Sequence, residues 1–252
     1  MGILDNKVAI VTGAGKGLGV AEAMELAKEG AAVTVLSRTY ADVAETARRI
    51  EEFGGRALPI QCDVSDRKQV DDAVRQTIDK FGTIDILVNN AHSKPIDHPF
   101  EEWTDEEMRI TWETGPLASW YCMVACFPYM KEKRSGRIIN FGSVAGHGHI
   151  PGWVGYSIAK EAIRSLTKTA AMEWGKYGIT VNTISPCANS EFNATHYDTP
   201  EVMMASFKAG GAVIHELPEP EEIGRAVVYL CSPDAKHITG CLLTVNSGCG
   251  IV

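Results

Sequence analysis

The sequence predicts an α/β fold: a doubly wound parallel sheet with helices on both faces, forming one Rossmann-type domain over residues 1–252. Three observations predict it. Short β-branched and apolar runs alternate with longer stretches of helical periodicity. The strands read as continuous apolar runs, as strands covered on both faces do. No repeat, low-complexity tract or Pro/Ser-rich linker divides the 252 residues, a length that one α/β domain accommodates.

The elements follow in order. Residues 8–11 form a first strand, and helical spacing over 17–29 ends at Gly30. Residues 31–36 form a second strand, 41–53 a helix, 57–61 a third strand and 70–81 another helix. A fourth strand at 84–88 leads into two helical stretches, 101–113 and 117–132. Gly115-Pro116 lies between these stretches, and a proline there disturbs a helix because it lacks an N–H and crowds the preceding turn. A fifth strand at 137–141, a long helix at 155–176, a sixth strand at 180–184, a helix at 221–231 and a strand at 242–245 finish the pattern. Such alternation implies right-handed crossovers. Ligands then bind beyond the carboxyl ends of the strands.

Composition narrows the partners. A formal net charge of −8 argues against nucleic acid, which needs clustered Lys and Arg. No apolar run approaches the ~18 residues of a membrane span. Asp5 and Lys7 stand where a secretory signal needs apolar residues, so a cytoplasmic location is expected. Seven cysteines without a C-x-x-C pair read as free thiols in a reducing compartment.

The strand ends carry the chemistry. Gly13, Gly15, Gly17 and Gly19, with Lys16 and Leu18 among them, join the first strand to its helix. Glycine permits positive φ and close approach of backbone to a phosphate, and the helix N-terminus offers free N–H groups to a pyrophosphate. The second strand ends in Ser37-Arg38 with no acid. Arg38 and Lys16 therefore favour a ribose 2′-phosphate, and NADP(H) over NAD(H). Asp63 and Val64 follow the third strand, where an Asp either binds an adenine amino group or only caps the next helix. Asn89 and Ala91 follow the fourth, where polar amides order loop backbone around a cofactor. Beyond the fifth strand stands Ser143, a hydrogen-bond donor for a substrate oxygen, and thirteen positions later Tyr156. Tyr156 and Lys160, four apart, share a helix face. A free tyrosine titrates near ~10, and an adjacent ammonium lowers that value.

Taken in order, TGAGKGLG at 12–19, CDV at 62–64, NNA at 89–91, Ser143, YSIAK at 156–160 and SP at 185–186 resemble the short-chain dehydrogenase/reductase family over nearly the whole chain. The resemblance implies a Rossmann-type fold. It implies Tyr156 as general acid in carbonyl reduction and base in alcohol oxidation. Lys160 would lower the pKa of Tyr156 and, with it, hold the nicotinamide ribose; Ser143 would polarise the carbonyl, and Pro186 would lie at the cofactor. A homotetramer is also implied. Four positions depart from the family pattern. Gly115 stands where an Asn is usual, His92 and Cys187 where Gly is usual, and Glu191 where Thr is usual.

The substrate side is expected to draw on His92, His147, His149, Trp153 and Cys187, with His196 and Phe207 nearby and a lid over residues 188–215. An aromatic, His-lined wall suits a cyclic or aromatic ketone or alcohol. His147 and His149 are read as substrate-wall residues, not metal ligands. Two other readings stay open: a non-catalytic dinucleotide-binding or scaffold protein, consistent with Gly115, and a halohydrin dehalogenase-like lyase on the same fold. Lys160 and the intact glycine loop oppose the lyase.

Overall fold

A computed structural model of the chain describes residues 2–95, 97–148, 150–189, 199, 202, 205 and 211–250. Its strands are β1 (Val8–Thr12), β2 (Ala32–Ser37), β3 (Arg56–Gln61), β4 (Ile86–Asn89), β5 (Gly136–Phe141), β6 (Ile179–Pro186) and β7 (Leu242–Val245). Its helices are α1 (Leu18–Lys28), α2 (Tyr40–Glu52), α3 (Arg67–Phe81), α4 (Asp105–Trp112), α5 (Ala118–Glu132), α6 (Val144–Gly148), α7 (Val154–Trp174) and α8 (Pro220–Cys231). The strands form one parallel sheet in the order β3-β2-β1-β4-β5-β6-β7. Strand order reverses beside β1, which pairs with β2 on one side and β4 on the other. A crevice at the carboxyl ends of β1 and β4 is the binding position such a reversal creates.

Both sheet faces are covered, as the unbroken apolar strands require. One face packs Val33, Val35 and Ile86 with Leu26 of α1, Ile50 of α2 and Ile223 and Val227 of α8. The other packs Ile10, Leu87 and Ile138 with Val70 and Val74 of α3 and Cys126 and Met130 of α5. The helix ends follow their local sequence. Asp66 caps α3 by accepting from the N–H groups of Lys68 and Gln69, and Gly82 closes it in the left-handed region at φ 81°. Thr104 and Glu107 form a reciprocal capping box on α4.

A buried polar ladder ties α7 to the sheet. Asn89 donates to Asn140 Oδ1 at 2.8 Å, Asn140 donates to Thr167 Oγ1 at 2.9 Å, and Thr183 donates to Thr167 Oγ1 at 3.0 Å. Thr167 completes its bonds by donating to the Ile163 carbonyl at 2.9 Å. These bonds fix the rotation of the helix that carries Tyr156 and Lys160.

The expected disturbance at Gly115-Pro116 takes a specific form. Glu113–Leu117 is a π turn that joins α4 to α5 without leaving helical backbone angles. A widened turn tolerates the missing N–H of Pro116 where a regular one does not. The lid expected over 188–215 lies largely outside the described residues. So do His149, Glu191, His196 and Phe207. Among the described residues no helix is long and apolar enough to cross a membrane.

Candidate active site

The glycine loop is held from behind by β4. Thr12 accepts through Oγ1 from the N–H groups of Asn90 (3.1 Å) and Ala91 (3.0 Å). The Asn90 side chain donates to the carbonyls of Thr12 (3.0 Å) and Gly13 (3.3 Å). Gly13 has φ 67°, and a Cβ there would lie 2.8 Å from Asn90 Nδ2. A Cβ on Gly19 would lie 2.4 Å from the Gly13 carbonyl oxygen. Gly17, at φ 58°, places no side chain over the first N–H groups of α1. A backbone pulled this close, ending on an uncapped helix N-terminus, fits a pyrophosphate. The loop opens onto a cavity of about 330 Å³ lined by Gly13, Gly15, Lys16, Ser37, Arg38, Asp63, Val64, Ala91 and His92.

The structure adds residues to this cleft. Asp42 lines it and lies 3.5 Å from Lys16 Nζ, and Thr114 of the π turn lines its inner end. One carboxylate oxygen of Asp63 accepts from the N–H and hydroxyl of Ser65, at 3.0 and 2.7 Å. Asn89, expected at the cofactor, instead turns its amide into the polar ladder, and its neighbour Asn90 orders the loop. The alternation of a strand explains this, since adjacent side chains point to opposite faces.

At the end of β5, Ser143 Oγ accepts from the Ala145 N–H at 3.1 Å and stands near enough to the hydroxyl of Tyr156, in the first turn of α7, to draw its pKa down. Burial pushes the Tyr156 phenol up to about 12, and the Ser143 bond opposes this. Lys160 is buried, donates to the Phe141 carbonyl at 2.8 Å and has its Nζ 5.3 Å from the Tyr156 ring centre. Burial brings its pKa down to about 7, against the pull of Glu22. The expected lowering of the phenol by Lys160 is therefore not met in this geometry. Desolvation of the phenolate dominates Tyr156, and burial loosens the lysine's own proton as well.

Glu22 itself, on α1, is fully buried, and neither carboxylate oxygen has a hydrogen-bond partner among the described residues. Burial raises its pKa well above the ordinary value, partly offset by Lys160. Helical periodicity alone does not mark it, because a Glu in an amphipathic helix reads as a solvated residue.

On the substrate side, Trp153 meets Tyr156 edge-on at 5.7 Å, and Lys94 Nζ, paired with Asp97, sits 3.8 Å over the Trp153 ring. His147 Nε2 lies 3.4 Å from Ser185 Oγ. Pro186 ends β6 opposite Val245, and Cys187 packs with Cys249, Ala212, Leu217 and Val144. His92, expected at the substrate wall, is stacked on Tyr156 with ring centres 4.9 Å apart.

A parallel sheet with a dinucleotide cleft and a Ser–Tyr–Lys cluster beside it defines a class of dehydrogenases. The family model for short chain dehydrogenases matches residues 7–199. The 12alpha-hydroxysteroid dehydrogenase of Clostridium sp. is 36% identical over 99% of this chain and 99% of its own length. The 3-oxoacyl-[acyl-carrier-protein] reductase FabG of Haemophilus influenzae is 35% identical over 97% of this chain and 98% of its own. The crystal structure of levodione reductase superposes with a TM-score of 0.91 at 26% identity, covering 97% of each chain. The chain belongs to the short-chain dehydrogenase family. It is an oxidoreductase acting on CH–OH and C=O groups of a small molecule, with a nicotinamide dinucleotide as its cofactor.

Proposed function

We propose that this enzyme interconverts a cyclic or aromatic ketone and its secondary alcohol with NADP(H). The observation that carries the reading is the meeting of Ser143, Tyr156 and Lys160 at the end of β5, beside the glycine cleft. When bound, the nicotinamide supplies or accepts the hydride. In reduction, Ser143 donates a hydrogen bond to the carbonyl oxygen, and Tyr156 donates its proton to that oxygen as charge develops. A phenol held near 12 is protonated at neutral pH, which suits this direction. Lys160 holds the ribose hydroxyls from its anchor on the Phe141 carbonyl. Gly13, Gly15, Lys16, Gly17, Leu18 and Gly19 hold the pyrophosphate, Asp63 and Val64 the adenine, and Ala91 and Pro186 flank the nicotinamide half.

NADP(H) preference is supported by Arg38 at the end of β2, with Lys16 offsetting the negative charge of Asp42. A ring substrate is supported by the Trp153 wall next to Tyr156 and by the hydroxysteroid dehydrogenase relative. His147 and Cys187, with His149, complete the wall under a lid over 188–215, all within one domain. Exposed Trp120 on α5 and Met172 on α7 support self-association, for which a homotetramer is the proposed state, and the proposed location is the cytoplasm. Titration with NADPH and NADH, followed by nicotinamide fluorescence, tests the cofactor. Tighter NADPH binding is expected, and tighter NADH binding would overturn the preference. A panel of steroid ketones, small ring ketones and 3-oxoacyl thioesters tests the substrate, and selective turnover of the thioesters would contradict the ring reading.

A further inference from the structure

His92 touches three parts of the site, yet the scheme above gives it no task. Its ring stacks on Tyr156 at 4.9 Å with 29° between planes. Its Nε2 lies 3.0 Å from the Thr111 carbonyl oxygen. A carbonyl only accepts, so Nε2 carries the hydrogen. Burial, and to a lesser degree Lys160, hold the imidazole pKa well below its ordinary value, so the ring is neutral and Nδ1 is bare. That nitrogen is sealed from solvent and has no partner among the described residues. A buried acceptor left unpaired is costly, so ordinary packing does not explain a histidine here.

Gly115 supplies the second observation. A Cβ at this position would lie 2.7 Å from His92 Nε2 and 2.8 Å from Cε1. The imidazole from the loop after β4 thus fills the volume that a side chain at 115, in the middle of the π turn, would take.

We propose that His92 is a positioning residue for Tyr156: anchored to the Thr111 carbonyl and seated in the space left by Gly115, it fixes the phenol ring between Ser143 and the bound substrate. The proposal rests on the hydride-transfer reading. The phenol must stay within hydrogen-bond reach of the substrate oxygen, and a misplacement of ~1 Å costs about a hundredfold in rate. His92 and Gly115 then behave as one unit, in which a side chain removed at one position is replaceable from the other.

The test is an exchange, read with a ketone that the wild type turns over. His92→Gly is expected to lower kcat about ten- to a hundredfold, with substrate KM and NADPH Kd within about threefold. Gly115→Asn alone is also expected to lower kcat, because it meets the imidazole. His92→Gly combined with Gly115→Asn is expected to recover at least about tenfold over His92→Gly, the non-additivity of two contacting sites. A wild-type kcat in His92→Gly, or a double variant no better than either single one, overturns the proposal. Should His92→Gly fail to fold, His92→Gln and His92→Leu decide. Gln keeps an N–H for the Thr111 carbonyl and Leu keeps only bulk, so Gln is expected to be clearly faster at equal Tm, and equal rates overturn the proposal. A wild type that binds neither dinucleotide contradicts the functional reading itself. In that case the thermal unfolding cycle remains decisive: Gly115→Asn is expected to lower Tm with His92 present and not in the His92→Gly background, and additive shifts overturn the exchange.

Discussion

Lys160 donates from its buried ammonium to the main-chain carbonyl of Phe141 at 2.8 Å. The lysine is thereby fixed to the same strand end that leads to Ser143, at the level of the Tyr156 ring. Its proton is weakly held, at about 7 against an ordinary 10.5. Between those values the unfolded chain keeps the Lys160 proton and the folded chain does not, so this group makes stability rise with pH. Thermal unfolding of wild type and Lys160→Gln from pH 7 to 9 checks it. The wild type is expected to gain Tm relative to the variant across that window, and a constant difference would contradict the burial argument.

Glu22 gives the opposite slope. Its raised folded pKa means the folded state holds a proton that the unfolded chain loses above about 4.5. The stability it contributes is present below that value and is lost as pH rises through the folded pKa. Glu22→Gln removes the titration. The variant is expected to be more stable than wild type at pH 8 by about 1–3 kcal/mol, the scale of an unpaired buried polar group, with the advantage shrinking toward pH 4. Chemical denaturation at both pH values measures this.

The polar ladder places α7, the helix that carries Tyr156 and Lys160. Asn140→Ala takes the acceptor from the buried Asn89 amide, while Thr167 keeps its bonds to Ile163 and Thr183, and is expected to cost about 2–4 kcal/mol in urea unfolding, one unsatisfied group plus a small cavity. Thr167→Val keeps the volume but takes the acceptor from both the Asn140 amide and the Thr183 hydroxyl, and is expected to cost a similar amount, about 2–4 kcal/mol, without a cavity.

In the glycine loop, Gly19→Ala puts a Cβ 2.4 Å from the Gly13 carbonyl oxygen, an approach the backbone relieves only by moving. NADPH binding by Gly19→Ala is expected to weaken at least about tenfold, measured by nicotinamide fluorescence. Gly54→Ala, at φ 84° with open space around it, is the control: it is expected to lower stability through its backbone alone and leave dinucleotide affinity unchanged.

The parallel sheet and its helices were legible because buried strands such as Val8–Thr12 carry unbroken apolar runs and the helices between them carry their own period. The positions of Ser143, Tyr156 and Lys160 were legible from spacing, since a strand end and a helix's first turn bring them together. Side-chain direction was not. Asn89 and Asn90 are alike in sequence, and only the strand's alternation sends one to Asn140 and the other to the glycine loop. Thr12, directly before Gly13, is a hydroxyl at a strand end, and only the fold brings the N–H groups of Asn90 and Ala91 onto its Oγ1. Asp42 belongs to the cleft because α2 folds back toward Lys16, a tertiary fact. The phenol of Tyr156 is raised where the four-residue spacing to Lys160 led one to expect it lowered, because burial depends on the whole fold. His92 and Gly115, 23 positions apart in the sequence, meet only through the packing of the π turn.

Tyr156 is proposed to donate the proton in a hydride-transfer reaction. Turnover of a ring ketone with NADPH by Tyr156→Phe, set beside its NADPH affinity, tests this. Its kcat is expected to fall about a hundred- to ten-thousandfold, the usual contribution of a positioned acid, with Tm and NADPH Kd close to wild type. Turnover at the wild-type rate would contradict it, and would move the proton to another group.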